Sequence, residues 1–368
     1  MHPLLEKLNA LPHRGNGSQY QSQTVAILRE ELENAGATVS LQDFESPKTY
    51  ATIVWWGFFV FSLLLILAPV FRYIDLVFLL IWTVWMYNHA NGKATPFLKL
   101  PPLVKSQNVV GRVGASGAAV KIVLMAHHDS APASVLNTKI NQLLVPGSLL
   151  LAGIAVATAV NEVLFPNQDY LFWIKHALIL CFFLLAVVST YGYFRHGFAN
   201  NQATGVVAAF ESFKLLKAKN LANVAIEIVL TGAAAVGGVG AHYYCEVNRD
   251  QMLKQPTLLV NFDDLAAEDL KIIAQTGMVE KQNYDNLVVN AAKEVVANNS
   301  RFKNVRIANW YSPWFDSVWF QQLGIPSMTL VAGQGEPKLG ELAQKTSVPQ
   351  AAELAFETLL LSVANIKI

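Results

Sequence analysis

The sequence predicts an α/β protein, a mostly parallel, mixed central sheet with helices on both faces, carrying two inserted transmembrane helical hairpins. Three observations predict it. Short apolar runs alternate with longer helical patterns, the order that builds a parallel sheet covered on both sides. Four long apolar segments interrupt that alternation, grouped in two pairs. The composition, 53% hydrophobic and only 14% charged with a mean hydropathy of +0.34, is too apolar for a purely soluble chain. The length of 368 residues accommodates one large or two ordinary domains.

Residues 1–50 are mostly polar and contain no early apolar stretch of the kind a secretory signal needs. Within them, residues 24–36 read as an amphipathic helix, with Val25, Leu28 and Leu32 on one stripe and Gly36 as its stop. Residues 39–44 then alternate as a strand. Residues 51–70 are uncharged and about the length a bilayer requires. A tight turn marked by Arg72 and Asp75 returns the chain through residues 76–90. The second pair, residues 143–160 and 170–194, is joined by a loop containing Glu162, Pro166 and Asp169. Lys175 and His176 fit the last span if it starts near Ala177, leaving both at the interface, where a lysine can snorkel. Trp55, Trp56, Trp82, Trp85, Trp173, Tyr191 and Tyr193 lie toward segment ends, as interfacial belts do. Buried core helices of a soluble protein are the alternative, but runs this long and this poor in charge rarely pair in one.

Two hairpins return the chain to the side it left, so all polar sequence shares one face. Its flanks carry Lys48, Lys93, Lys99, Lys105, Lys139 and Arg195, whereas the opposite loops set Arg72 against Asp75, Glu162 and Asp169. Positive flanks place the polar domain in the cytoplasm. The net charge of +1, with no basic cluster, excludes a nucleic-acid partner. Cys181 lies in an apolar run and Cys245 in polar sequence, so no structural disulfide is expected.

Strands are predicted at 108–110, 120–125, 224–230, 257–262 and 327–331, with helices at 205–218, 283–298 and 350–364. The hairpins (51–92 and 143–194) fall between strands. Residues 1–50, 93–142 and 195–368 are therefore read as one domain with insertions at loops, where insertion is best tolerated.

Four blocks carry the chemistry: Ala126-His127-His128-Asp129-Ser130; Asn200-Asn201 followed by Gly205; Thr231-Gly232-Ala233-Ala234-Ala235; and Asn261-Phe262-Asp263. Their order and spacing resemble the co-catalytic zinc aminopeptidase family, which also holds glutamate carboxypeptidase and the inactive membrane scaffolds nicastrin and nicalin. The resemblance covers nearly all the polar sequence and neither hairpin. In that family two zinc ions are held at the carboxyl ends of strands by two histidines, a glutamate, an aspartate and a bridging aspartate, and a second glutamate is the general base. One metal polarises the carbonyl while both acidify the water.

The resemblance places His127 and Asp263 as ligands of one zinc, and Asp129 as the carboxylate that orients the His127 imidazole. Asn201 takes the bridging position, Ala234 that of the general base, and Ala235 that of the glutamate ligand. A methyl group accepts no proton and coordinates nothing, and an amide offers one neutral acceptor oxygen. The family's last ligand is a histidine near its C-terminus, yet no histidine follows His242. A half-site remains, short of the three ligands plus water of a catalytic zinc, so at most one weakly held zinc is expected. Trp310, Trp314, Phe315, Asp316, Ser317 and Trp319 precede Gly324-Ile325-Pro326 and resemble the family's cleft-lining segment, with Ser317 in a histidine's place. Their aromatic density suits a peptide or apolar ligand; core packing, or contact with the membrane surface, is the plain alternative.

The expectation is a membrane-anchored pseudo-aminopeptidase serving as a binding or scaffold subunit, with the bilayer and a membrane-protein partner or second copy around it. Its rivals are a hydrolase working with a single metal, and a lipid-handling or transport-linked protein. Transport is disfavoured by the near absence of charge within the spans.

Overall fold

The computed structural model describes residues 2–115, 117–131, 138–166, 168–197, 203–312, 314–333 and 346–366. The chain opens with helices α1 (Pro3–Asn9) and α2 (Gln19–Asn34), then strand β1 (Thr38–Pro47) and the long α3 (Tyr50–Ala90). Strands β2 (Leu103–Val113) and β3 (Val120–His127) lead to α4 (Thr138–Leu164) and α5 (Asp169–His196). Next come α6 (Thr204–Lys219), β4 (Val224–Thr231), α7 (Val239–Lys254) and β5 (Thr257–Phe262). The remainder is β6 (Lys271–Thr276), β7 (Gln282–Asn283), α8 (Leu287–Asn298), β8 (Arg306–Asn309), α9 (Val318–Gln322), β9 (Ser327–Val331) and α10 (Val348–Ala364).

One sheet runs in the order β1-β2-β4-β3-β5-β9-β6-β7, with β8 beside β6. Its centre, β4-β3-β5-β9, is parallel. Antiparallel pairs extend it on both sides. The period-two alternation of strand side chains divides β3 between two cores. Ile122, Leu124 and Ala126 join the layer containing α1, α2, α6, α8 and α10. Val123 and Met125 face α7, α9 and the root of α3. The fold is mixed α/β with a central sheet and covering helices, as the alternating pattern predicts.

The first half of the helical layer is a hairpin in itself. A straight helix of 41 residues would run about 60 Å at 1.5 Å per residue. Yet the hydroxyl of Tyr50 lies 3.0 Å from Nε2 of His89 at the other end. The reversal occurs at Phe71, whose backbone is non-helical (φ −121°, ψ 38°). The turn is therefore earlier and tighter than residues 72–75, and Asp75 sits on the returning arm, 3% exposed. Helices α4 and α5 form the second hairpin, packed on the first through Phe61 and Phe182, whose stacked rings are 4.4 Å apart. Among the described residues, four helices, Tyr50–Ala68, Val70–Ala90, Pro146–Leu164 and Asp169–Tyr191, are long and apolar enough to cross a membrane. Their outward faces present Ile66, Val77, Leu150 and Trp173.

One expectation about the last helix is corrected. It starts at Asp169, not near Ala177, so Lys175 lies inside it and does not snorkel. The Lys175 ammonium is buried in an ion pair with Glu162, which belongs to α4 and not to the connecting loop. A carboxylate across the helix interface supplies what solvent would otherwise have to.

Register places the helices relative to the sheet. Strands β3, β4 and β5 end together, His127 opposite Thr231 and Ala126 opposite Phe262. Strand β2 runs against β4 with Val109 opposite Leu230, and Pro47 at the end of β1 pairs with Leu103 at the start of β2. Both hairpins thus leave the sheet from the edge at which the parallel strands terminate.

Candidate functional site

The carboxyl ends of parallel strands form the crevice in which open α/β sheets place their ligands. His127 ends β3, and Asp263 follows β5 directly. The two side chains meet: Nε2 of His127 lies 3.4 Å from Oδ1 of Asp263. On the other side of the ring, Nδ1 is 3.2 Å from the carbonyl oxygen of Asp129 and 3.6 Å from its carboxylate. The imidazole is 27% exposed. Burial opposes its protonation, but hydrogen bonds and charge from Asp129 and Asp263 outweigh burial and hold it well above its ordinary value.

Asp129 is fully buried and serves two neighbours. Besides facing His127, its oxygens accept the backbone N–H of Ala234 at 3.1 Å and of Ala235 at 3.3 Å. Burial alone would raise its pKa; the His127 hydrogen bond and charge, His128, and the Ala235 N–H together hold it below the usual carboxylate value. The Ala234-Ala235 turn is therefore folded onto the carboxylate that lies 3.6 Å from His127 Nδ1. That turn is entered through Ala233 at φ 56° and left through Gly237 at φ 95°. Ala233 keeps a left-handed backbone that disfavours a side chain.

A chamber of about 330 Å³ opens at these strand ends. His127, Asp263, Ala234, Ala235, Trp310, Trp314, Phe315 and Asp316 line it. Asp316 is 5% exposed and donates nothing; its Oδ2 accepts the Thr231 hydroxyl. Burial pushes the Asp316 carboxyl up to about 6. Two residues assigned to the pocket lie elsewhere. Ser317 is fully buried with its hydroxyl 2.7 Å from that of Thr329. Trp319 packs in the core, edge-on to His242 at 4.5 Å. Both follow Asp316 at the start of α9, which turns their side chains into the layer between α7 and the sheet. Asn201 lies outside the described residues. Gly205, which fixes its register, is described: a Cβ there would stand 2.6 Å from the carbonyl oxygens of Phe262 and Asp263.

Three lining residues were not read from the sequence. Arg14 is buried and donates from Nε to the His128 carbonyl at 3.0 Å, bracing the loop after β3. Burial lowers its pKa to about 10. Asp264, next to Asp263, has its pKa raised by burial. Tyr50 enters from the first turn of α3. A lone arginine near an N-terminus and a tyrosine opening an apolar segment carry no motif; Asp264, adjoining a matched block, was the one open to detection.

A catalytic zinc keeps three protein ligands and an open position. Here two donors stand at strand ends and methyl groups at positions 234 and 235. Among the described residues no group of three or more His, Cys, Asp or Glu side chains is placed to hold a metal ion. The described residues do not fit a two-zinc centre.

Residues 189–351 match the family described as Peptidase family M28. No curated protein matches the sequence. Among solved structures, the LapA aminopeptidase of Legionella pneumophila is similar, with 12% identity and a TM-score of 0.50 over 99% of this chain and 70% of that one. An aminopeptidase from Aneurinibacillus sp. strain AM-1 gives 12% identity and a TM-score of 0.49 over 98% and 91%. BSAP, a zinc aminopeptidase from Bacillus subtilis, gives 12% and 0.47 over 97% and 93%. Residues 189–351, less than half of the chain, thus match the M28 peptidase family, and the α/β fold, with its central sheet and covering helices, is similar to that of the LapA aminopeptidase.

Proposed function

We propose that this chain is a membrane-anchored pseudo-aminopeptidase that binds a ligand or partner and no longer cleaves peptides. The observation that carries the reading is the pair of alanines at 234 and 235. Their backbone is fastened to Asp129 in a strained loop, while their side chains offer neither base nor ligand. Loss of a general base alone costs on the order of 10²–10⁴ in rate. The apolar outward faces of the four helices support a bilayer around them. Lys and Arg on the flanks facing the α/β part support a cytoplasmic domain. A membrane-protein partner or a second copy is the natural company for such a scaffold.

A second reading, a hydrolase using one metal, draws on the retained His127–Asp263 pair with Asp129 behind it. One experiment separates the two. The full chain in nanodiscs is assayed on aminoacyl and dipeptide substrates, with and without added zinc or cobalt, and its metal content is measured. The pseudo-enzyme releases no amino acid and holds well under two zinc per chain. Hydrolysis abolished by His127→Ala, or stoichiometric double occupancy, would overturn it.

A further inference from the structure

We infer that the chamber at the strand ends is the head compartment of a binding site for a single-chain lipid amine, whose tail lies between the helices. The inference rests on the reading that the helices sit in a bilayer. A second cavity, of about 370 Å³, lies directly against the chamber. Ile53, Gly57, Met86, Leu149, Phe182 and Ala186 form its walls, so both hairpins contribute. Three residues, Tyr50, Ala235 and Trp314, line both spaces. Each volume falls in the range of ordinary ligand pockets, about 300–1,000 Å³.

The lower cavity suits hydrocarbon. Its few polar walls are already engaged: the Tyr50 hydroxyl is 3.0 Å from His89 Nε2, and His89 Nδ1 is 3.3 Å from the Thr95 hydroxyl. A peptide chain there would bring backbone N–H and C=O groups with nothing to pair them. An alkyl chain brings none. At Gly57 a Cβ would meet the Phe182 ring only at 4.0 Å, an ordinary contact, so a larger side chain is needed to fill the passage.

The upper chamber suits a cation. Asp263, Asp264 and Asp316 face it against His127 and Arg14. The Arg14 side chain is spent on the carbonyls of Leu8 and His128, and Asp263 is spent on His127. Asp316 is 95% buried by its 5% exposure, yet Thr231 is its one hydrogen-bond partner among the described residues. A protonated amine donates charge-assisted hydrogen bonds to such carboxylates; a carboxylate or phosphate head would meet like charge. Lipid tails are as apolar as leucine, so moving the tail from bilayer to cavity gains little, and the head decides selectivity. Ala235 stands in the doorway. A glutamate there would put a carboxylate across the passage, whereas the methyl group leaves it clear.

The test uses the full chain in phosphatidylcholine nanodiscs and hexadecylamine carrying a mid-chain diazirine. Light should attach the probe to the segments holding Gly57 and Phe182. Unlabelled hexadecylamine should compete roughly tenfold better than hexadecanoic acid or hexadecanol, about what one charge-assisted hydrogen bond supplies. Ala235→Trp in the doorway and Gly57→Leu in the slot should each lower labelling about tenfold. Asp316→Asn should abolish the preference for the amine and keep the slot labelled. Each variant is first checked for an unchanged unfolding midpoint; should one fail to fold, the others still decide. Equal competition by the acid overturns the head assignment. Adducts elsewhere, or labelling indifferent to both Ala235→Trp and Gly57→Leu, overturn the site itself. Peptide hydrolysis would sink the pseudo-enzyme reading whatever the probe labels, so the two failures are distinguishable.

Discussion

Gly205 occupies the first turn of α6 with two carbonyl oxygens 2.6 Å from where its Cβ would be. Backbone atoms cannot step aside as a flexible side chain can, so Gly205→Ala should destabilise by about 1–3 kcal/mol. The measurement is the thermal unfolding midpoint in detergent, and an unchanged midpoint would contradict the close approach. The proposed loss of carboxylates can be tested in the opposite direction. On the proposed pseudo-enzyme reading, Ala234→Glu with Ala235→Glu and Asn201→Asp should raise zinc affinity by adding carboxylate donors to those of His127 and Asp263. Turnover should stay near background, since no histidine follows His242 to complete the second site; titration with zinc and a peptidase assay check the two halves. At this scale the sequence was most legible where a residue type is chemically decisive. His127, Asp129 and Asp263 meet because each ends or follows a central strand, and short blocks mark all three. Trp319 and Ser317 misled because an aromatic run shows density without direction. Only the turn into α9 decides which of its side chains face the chamber.

At the scale of elements, the ion pair between α4 and α5 carries a testable energetic consequence. Glu162 and Lys175 are both buried, and Asp75 of the first hairpin's returning arm is buried with them. Removing the one cation strands two carboxylates among the helices, so Lys175→Ala should cost about 3–5 kcal/mol, whereas Glu162→Leu with Lys175→Leu, which leaves only Asp75, should cost less. Thermal stability in detergent checks both; a double variant as damaged as the single one would mean the pair is essential in its own right. Paired charges between spans also qualify the expectation that these helices carry almost no charge. The central elements were readable because their patterns are long. Val120–His127 is buried almost throughout and α6 keeps an apolar face. Helix α7 was not read, since its buried Tyr244, Cys245 and Asn248 lie among polar residues that blur any stripe. Strands β7 and β8 have two and four residues, too short for alternation to register; pairing with β6 creates them.

The whole molecule sets its functional ends back to back. Both hairpins rise from the sheet edge where β3, β4 and β5 terminate, so the chamber faces the helices and not the far side of the domain. That arrangement follows from insertion points legible in the sequence, between β1 and β2 and between β3 and α6. The shared doorway at Tyr50, Ala235 and Trp314 follows from packing and was not legible. If the helices cross a bilayer, all of the α/β part lies on one side and the Phe71 turn and the α4–α5 connection on the other. Charge then predicts the orientation, because Lys48, Lys93, Lys99 and Lys105 flank the domain side while the opposite one sets Arg72 against Asp169. Native cysteines are poor reporters, as Cys245 is buried and Cys181 lies within an apolar helix. New ones at exposed positions serve better. In a Cys181→Ser, Cys245→Ser background, a membrane-impermeant thiol reagent should label Gln168→Cys in intact cells and Gln23→Cys, on the exposed side of α2, only after the cells are opened. The reverse pattern would place the domain outside the cytoplasm. Labelling of both in intact cells would mean that the helices do not separate two compartments.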